Sequence, residues 1–307
     1  MKIAIIGAGI VGLYLSLNLS RKGHKVVVFE KKAKIGKSAC SGLFSERILQ
    51  FIPEAESLTQ NKIKSVLIHF PGKTLKIEFS KPFLVMNHAQ LDMLVADLAK
   101  KAGAEIKLNY NWSSNNEFDR VIGCDGAQSF IRKSLKEKEP KYRLGIIGFT
   151  AQKDGSDYVE TWPVKNGFIW RIPRGDETEY GIIAESREAK KLFDDFLKKN
   201  NIFLSNITSA LIPQGLIIPK NNNITLCGDA AGLTKPWSGG GVIFGLIAAQ
   251  ILLATFSDFL KYRQNSIRYF YSRMFFYKII TKIVYFLGFN FPWILPKNIK
   301  IEGDFLL

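Results

Sequence analysis

The chain has 307 residues, 47% of them hydrophobic, three cysteines and a formal net charge of +16. That length can bury a sizeable core and suits one large or two closely joined domains. Cys40, Cys124 and Cys227 form neither a CxxC pair nor an even framework, which argues against a disulfide scaffold or a cysteine zinc site, and no metal is expected.

Met1-Lys2 leads straight into a strand-like run with no cleavable signal pattern, so a cytoplasmic, reducing setting is expected. Residues 2 to 7 read as a continuous apolar strand of a sheet buried on both faces. Gly7-Ala8-Gly9-Ile10-Val11-Gly12 opens a helix through Tyr14, Leu15, Leu17 and Leu19, which Gly23 ends. Lys25 to Phe29 form a second strand, closed by Glu30, 23 residues beyond Gly7. This is GxGxxG in its strand–turn–helix setting. The glycines permit a tight turn, pyrophosphate approach and close helix–strand packing, while Glu30 would accept the ribose hydroxyls of an adenosine. A carboxylate there disfavours a 2′-phosphate and leaves FAD or NAD.

Residues 63 to 80 alternate and turn at Pro71-Gly72, as a hairpin does. Leu91, Leu94, Val95 and Leu98 give residues 87 to 103 helical spacing, and Ala104 to Leu108 read as a strand. Arg120 to Gly123 form another strand, entering Cys124-Asp125-Gly126-Ala127 with Ser129 and Arg132 beyond. Strand-like runs fill Ile146 to Glu185, broken at Lys165-Asn166-Gly167 and Arg174-Gly175-Asp176, and residues 187 to 200 suit a charged surface helix.

Ile224 to Leu226 then lead into Gly228-Asp229, a loop closed by Pro236, and Gly239-Gly240-Gly241 at the start of an apolar segment. An Asp at a strand end can accept a hydrogen bond from a sugar or ribityl hydroxyl. Glycines at a helix start let backbone N–H groups approach an anionic or planar ligand. Residues 236 to 257 carry no charge; their count matches a membrane span, but the embedded glycines argue for a buried helix. From Phe259 to Ile301 there is no acid, and eight cations interleave with aromatics, the pattern of an interfacial surface drawn to anionic headgroups. A nucleic-acid surface would have a similar composition.

Taken together, the three glycine motifs resemble, in order and spacing, the FAD signatures of the single-component flavoproteins typified by aromatic hydroxylases. Lys37-Ser38-Ala39-Cys40-Ser41-Gly42-Leu43 resembles the Cys-x-Gly loop of geranylgeranyl reductases. Phe168-Ile169-Trp170-Arg171-Ile172-Pro173 is similar to their aromatic-x-Trp-x-Phe-Pro motif, with Ile172 in place of Phe. The branch these stretches resemble is that of the archaeal digeranylgeranylglycerophospholipid reductases.

The resemblance implies an α/β fold. A Rossmann-like FAD-binding domain of glutathione-reductase type (1–62, 81–140 and 215–260) would carry an inserted antiparallel β-sheet substrate domain (63–80 and 141–214). A short helical, basic and aromatic C-terminal segment (261–307) would follow. FAD would contact Gly7, Gly9, Val11, Gly12, Glu30, Lys31, Cys40, Ser41, Gly42, His88, Trp112, Asp125, Gly126, Gly228, Asp229, Pro236, Gly240, Gly241 and Val242. Trp162, Phe168, Trp170 and Pro173 would wall the substrate cavity. Cys40 and Trp170 would stand nearest the chemistry, with Cys40 positioning the double bond or relaying a proton.

The implied activity is saturation of geranylgeranyl double bonds by hydride from N5 of reduced flavin; a flavin monooxygenase or halogenase of the same fold is the alternative, the run around Trp170 being close to the halogenase WxWxIP pattern. Expected partners are an isoprenoid lipid, an electron-donor protein or NAD(P)H, and a membrane surface met peripherally at its inner face, with no nucleic acid. The chain departs from the family at His88, which stands where these reductases carry an FAD-contacting Arg, and in its shorter C-terminal region.

Overall fold

The computed structural model describes residues 1–36, 39–113 and 117–301. In chain order its elements are β1 (Lys2–Ile6), α1 (Ile10–Arg21), β2 (Lys25–Phe29), β3 (Leu43–Ser45), α2 (Ile48–Phe51), β4 (Thr59–Phe70), β5 (Lys73–Met86), α3 (His88–Lys101), β6 (Glu105–Lys107) and β7 (Arg120–Gly123). There follow α4 (Phe130–Ser134), β8 (Lys141–Thr150), β9 (Tyr158–Val164), β10 (Gly167–Pro173), β11 (Thr178–Ala184), α5 (Ala189–Lys199), β12 (Ser205–Gln214), β13 (Ile224–Leu226), α6 (Val242–Thr255), α7 (Phe259–Asn290) and β14 (Asn298–Ile301).

Sheet A runs β13–β7–β1–β2–β6, with every pair parallel. Its strands are nearly continuous apolar runs because the sheet is buried on both faces. Parallel strands end on the same edge, so Gly7, Glu30, Cys124 and Cys227, each next after its strand, emerge together there. Open parallel sheets bind ligands at that edge. Helix α1 lies between α3 and α6 and is buried on almost every side.

Sheet B runs β12–β8–β11–β10–β9–β4–β5–β14, with β3 added beside β5. Its pairs are antiparallel except β4–β9 and β5–β14. Side chains alternate across the pleat. Phe168, Trp170 and Ile172 therefore share one face with Ile147 and Ile183, while Ile169 and Ile182 share the other, which α5 covers through Phe193.

The hairpin expected over 63–80 extends to 59–86. A bulge between Ile63 and Ser65 takes up the broken alternation around Lys81-Pro82 that hides the longer strand from a pattern reading. The C-terminal segment holds a strand as well as a helix, since β14 pairs with the free edge of β5. Its helix, α7, is one unbroken run of 32 residues, N-capped by Asp258, whose side chain accepts the Lys261 N–H at 2.9 Å. Tyr262, Ser266, Phe270 and Met274 line its buried side at four-residue spacing. The Tyr262 hydroxyl donates to Leu226 O of β13 at 3.1 Å, and the Tyr285 hydroxyl to Gly167 O of β10 at 2.9 Å. Among the described residues no helix is long and apolar enough to cross a membrane; the uncharged 236–257 stretch is mostly the buried α6.

Candidate active site

At the shared strand edge the three motifs touch one another. Gly7 has φ +107, and a Cβ there would clash with the Cys124 carbonyl oxygen, so the first motif presses against the second beside Asp125. Gly12 is as tightly placed, its missing Cβ lying 3.2 Å from that of Cys124. Val11 fills room left by the third motif: Cβ atoms on Gly228 and Gly245 would lie 3.0 and 2.5 Å from its Cγ2. A Cβ on Gly241 would stand 2.7 Å from Asp229 Oδ1. Arg132, fully buried, braces the arrangement: Nη2 donates to Ala127 O at 2.7 Å and Nη1 to Ala230 O at 2.9 Å, joining the second and third motifs.

This crevice suits a dinucleotide. Gly9 precedes α1 with open space around it, no side chain caps that helix, and its first turn carries no acid. The helix N–H groups and positive end therefore favour a pyrophosphate. Glu30 accepts the Ala8 N–H at 2.8 Å through Oε2 and the Lys32 N–H at 2.9 Å through Oε1. Each carboxylate oxygen keeps capacity for a ribose hydroxyl. Asp125 accepts the Ile131 N–H at 3.1 Å through Oδ2, while its buried Oδ1 has no partner among the described residues. A Cβ on Gly126 would meet nothing within 4 Å. Lys31 is exposed beside Glu30, and Trp112 packs on Phe29 with ring centroids 4.8 Å apart. Val242 and Gly240 flank Gly241 at the uncapped start of α6. The Pro236 carbonyl accepts Gln214 Nε2 at 3.0 Å, which ties the loop to sheet B.

Across the crevice lies the face of sheet B that carries Trp170 and Phe168, their rings 5.7 Å apart. The Gly239 turn meets this face, since a Cβ on Gly239 would crowd Ile183 and Ile212. Trp170 lies over Gly181 of β11, where any Cβ would collide with its ring. Its Nε1 donates to Glu179 Oε1 at 2.8 Å, and Glu179 Oε2 accepts Arg174 Nε at 3.1 Å and Nη2 at 2.6 Å. Arg174 Nη2 also donates to the Ser41 carbonyl. Burial raises the Glu179 carboxyl, and Arg174 and Trp170 oppose that rise. A bonded chain thus runs from Trp170 to the Cys40 loop. Pro173 ends β10 beside it, its carbonyl accepting Asn61 Nδ2 at 3.1 Å. Of the Cys-x-Gly stretch, Lys37 and Ser38 lie outside the described residues.

His88, the first residue of α3, is buried, with Nε2 3.4 Å from Asp92 Oδ1 and its ring edge-on to Phe44. Burial favours the neutral ring, yet Cys40 and Asp92, by charge and hydrogen bond, raise the imidazole to about 10. Cys124 and Cys227 have thiols pushed up by burial.

Trp162 does not join this face. It sits opposite Ile169 in the β9–β10 register, so the two-residue period turns it to the α5 side. There it stacks on His69 at 5.2 Å and packs on Phe196 at 4.9 Å. His69 in turn pairs with Glu160 at 3.1 Å. Sequence reading missed Asp92, Arg174 and Glu179. A lone acid inside the apolar run of β11, with an Arg five residues earlier across a turn, is the signal that could have found the last two.

A protein-family model described as FAD dependent oxidoreductase matches residues 2–57. The chain is 27% identical over 305 residues to the digeranylgeranylglycerophospholipid reductase of Methanococcus vannielii, covering 83% of this chain and 77% of that protein. It is 24% identical to the kynurenine 3-monooxygenase of Christiangramia forsetii, over 81% of this chain and 71% of that one. Among solved structures, a geranylgeranyl bacteriochlorophyll reductase-like protein from Thermoplasma acidophilum superposes with a TM-score of 0.70 at 19% identity, covering 92% of this chain and 83% of the other.

Proposed function

We propose that this chain, an FAD-dependent oxidoreductase with geranylgeranyl reductases among its relatives, saturates carbon–carbon double bonds in the isoprenoid chains of membrane lipids. One observation carries the reading: an apolar sheet face around Trp170 and Phe168 is bonded through Glu179 and Arg174 to the Cys40 loop and fronts the glycine crevice. Bound FAD supplies hydride chemistry when reduced. The chain's own work is positioning and exclusion of water. Gly9 and the α1 start would take the pyrophosphate, Glu30 the adenosine ribose, and Asp229 a ribityl hydroxyl, while Phe168, Trp170, Ile183 and Ile212 offer a prenyl chain a dry surface. The reductant would be NAD(P)H or an electron-transfer protein; the sequence holds no second GxGxxG to bind a nicotinamide separately.

The lipid would arrive along α7. Its outer side exposes Tyr271, Phe275 and Phe286 at 69%, 61% and 59%, with Trp293 just beyond at 70%. Lys278 and Lys282 stand among them. A large exposed apolar patch rimmed by cations suits the surface of an anionic bilayer, met peripherally at its cytoplasmic side. Its opposite side reaches the site, with Tyr277 on Trp237 at 4.6 Å and Tyr285 on Gly167.

The test is anaerobic incubation of the dithionite-reduced, FAD-loaded protein with geranylgeranyl glycerolipids in anionic vesicles, followed by mass spectrometry. Products heavier by pairs of hydrogens support the reading, and unaltered lipid alongside a fully reduced flavin overturns it. The monooxygenase relative favours a second reading, an oxygenase, and the run around Trp170 keeps a halogenase beside it. Substrate-dependent oxygen consumption during NAD(P)H oxidation would select that reading instead.

A further inference from the structure

We propose that Arg143 is a positioning residue for the flavin ring: its charge, carried to the crevice by the Pro236–Trp237 turn, makes the site hold reduced FAD more tightly than oxidised FAD. The proposal goes beyond the isoprenoid reading and needs only the FAD crevice, so it stands whichever substrate the reduced flavin serves.

Arg143 belongs to β8, and its guanidinium donates to four main-chain carbonyls and to no carboxylate among the described residues. Nη1 reaches Trp237 O at 3.0 Å and Pro236 O at 3.4 Å, while Nη2 reaches Asn166 O at 2.7 Å and Ile183 O at 3.3 Å. The loop of the third motif, the β9–β10 turn and β11 thus meet on one side chain. Helix α7 arrives beside it, since the Tyr285 hydroxyl donates to Gly167 O, the carbonyl after that of Asn166. Neutral acceptors satisfy the donors of a guanidinium without cancelling its charge. The acid that faces it, Glu185, stands off behind Asn166, whose Nδ2 donates to Glu185 Oε1 at 3.0 Å. Burial pulls the guanidinium below its ordinary value, yet an arginine stays charged across the range in which a protein works.

The turn it grips is closed on itself. The Lys235 N–H donates to Gly240 O and the Gly239 N–H to Lys235 O, each at 3.0 Å. A planar trans peptide sets its N–H antiparallel to its C=O. With the Pro236 and Trp237 carbonyls drawn to Arg143, the Trp237 and Ser238 N–H groups present their positive ends on the side away from it. Lys235, 4% exposed, adds a second cation, its ammonium 5.9 Å from the ring centres of Trp237 and Phe244. The α6 start follows with no acid in its first turn. Asp229, against Gly241, is the opposing charge. With the pyrophosphate at Gly9 and the ribityl chain at Asp229, the flavin ring would lie at this turn, where cations outnumber acids.

Two-electron reduction with uptake of one proton leaves the flavin ring with one more negative charge than before. Fixed positive groups that need not reorganise favour that form over the neutral one. No electron or proton passes through Arg143; it changes only the relative affinity for the two forms, and hence the potential.

The test is redox titration of the FAD-loaded full chain with dithionite under argon, against reference dyes and beside free FAD in the same buffer, together with the affinity for oxidised FAD from its fluorescence. A tenfold preference for the reduced form raises a two-electron midpoint by about 30 mV. The unaltered protein should sit at least that far above free FAD. Arg143→Gln should lose about tenfold of the preference and fall by about 30 mV, whereas Arg143→Lys, which keeps the charge, should stay within about twofold, or about 9 mV. An unaltered protein at or below free FAD overturns the proposal. An Arg143→Gln variant that binds both forms more weakly but keeps the parent potential also overturns it, because a mere brace would behave so. Equal falls in the two variants trace the effect to lost carbonyl bonds and overturn it as well. If Arg143→Gln does not fold, the unaltered protein and Arg143→Lys decide by the same limits. Potentials as expected without any lipid reduction leave Arg143 its role and remove the isoprenoid reading alone.

Discussion

Arg174→Met removes one partner of a buried ion pair without opening a large cavity. Arg174 is 7% exposed and Glu179 fully buried, so solvent screens neither charge. Breaking such a pair from one side costs about 3–5 kcal/mol when the remaining charge stays ionised. Glu179 can limit that cost by taking a proton. Protonating a carboxyl of ordinary pKa about 4.3 at pH 7 costs about 1.36 × 2.7, or about 3.7 kcal/mol, and at pH 5.5 about 1.6 kcal/mol. Glu179 is already held above its ordinary value by burial, and loss of Arg174 raises it further. A carboxyl raised in the folded state contributes stability that is full below its unfolded pKa and is lost as pH rises through the folded value. The variant should therefore be nearly as stable as the parent near pH 4.5, and weaker by about 3–4 kcal/mol at pH 7. Urea titrations followed by tryptophan fluorescence at several pH values measure this, and Trp170, bonded to Glu179, should report a shifted emission. Adding Glu179→Gln should recover most of the loss at pH 7. A pH-independent cost, or a double variant no better than the single one, would refute the reasoning.

Three further outcomes are expected. Gly7→Ala, at positive φ and against the Cys124 carbonyl, should yield folded protein that purifies with little bound FAD, seen as loss of the visible flavin absorbance. Gly181→Ala should drive the Trp170 ring aside at a cost of about 1–3 kcal/mol, visible in near-ultraviolet circular dichroism and thermal melts. Trp170→Phe should depress kcat/KM for a prenyl substrate, whereas Trp162→Phe, on the far face, should leave it within about twofold, because a surface away from the reacting groups contributes no transition-state binding. Equal losses from both would contradict the assignment of faces.

The fold was legible where short-range rules act. The apolar strand, GxGxxG and Glu30 announce a parallel sheet with a ligand edge, and the close contacts of Gly7, Val11 and Gly241 follow from residues that a pattern reading singles out. Trp162 eluded that reading because a strand's two faces look alike until its partners are known; one residue of offset reverses a side chain's direction. Glu179 and Arg174 were hidden because a buried charge reads as a surface one until its partner is found. Asp92 passed as an ordinary helix residue, because its i,i+4 pairing with His88 stands out only once both side chains are seen to be buried. The length of α7 was obscured by cations scattered around its circumference, while its buried side keeps the four-residue repeat of Tyr262, Ser266, Phe270 and Met274.

The two tyrosine anchors of α7 make it a tie-rod. Tyr262 fastens one end to the parallel sheet and Tyr285 the other to the antiparallel one, 23 positions and about 35 Å apart at 1.5 Å per residue. A rod pinned at both ends transmits tilt: a load on its exposed aromatic flank would change the spacing between the two sheets, so under the proposed function docking of that flank would be felt in the gap where the substrate would react.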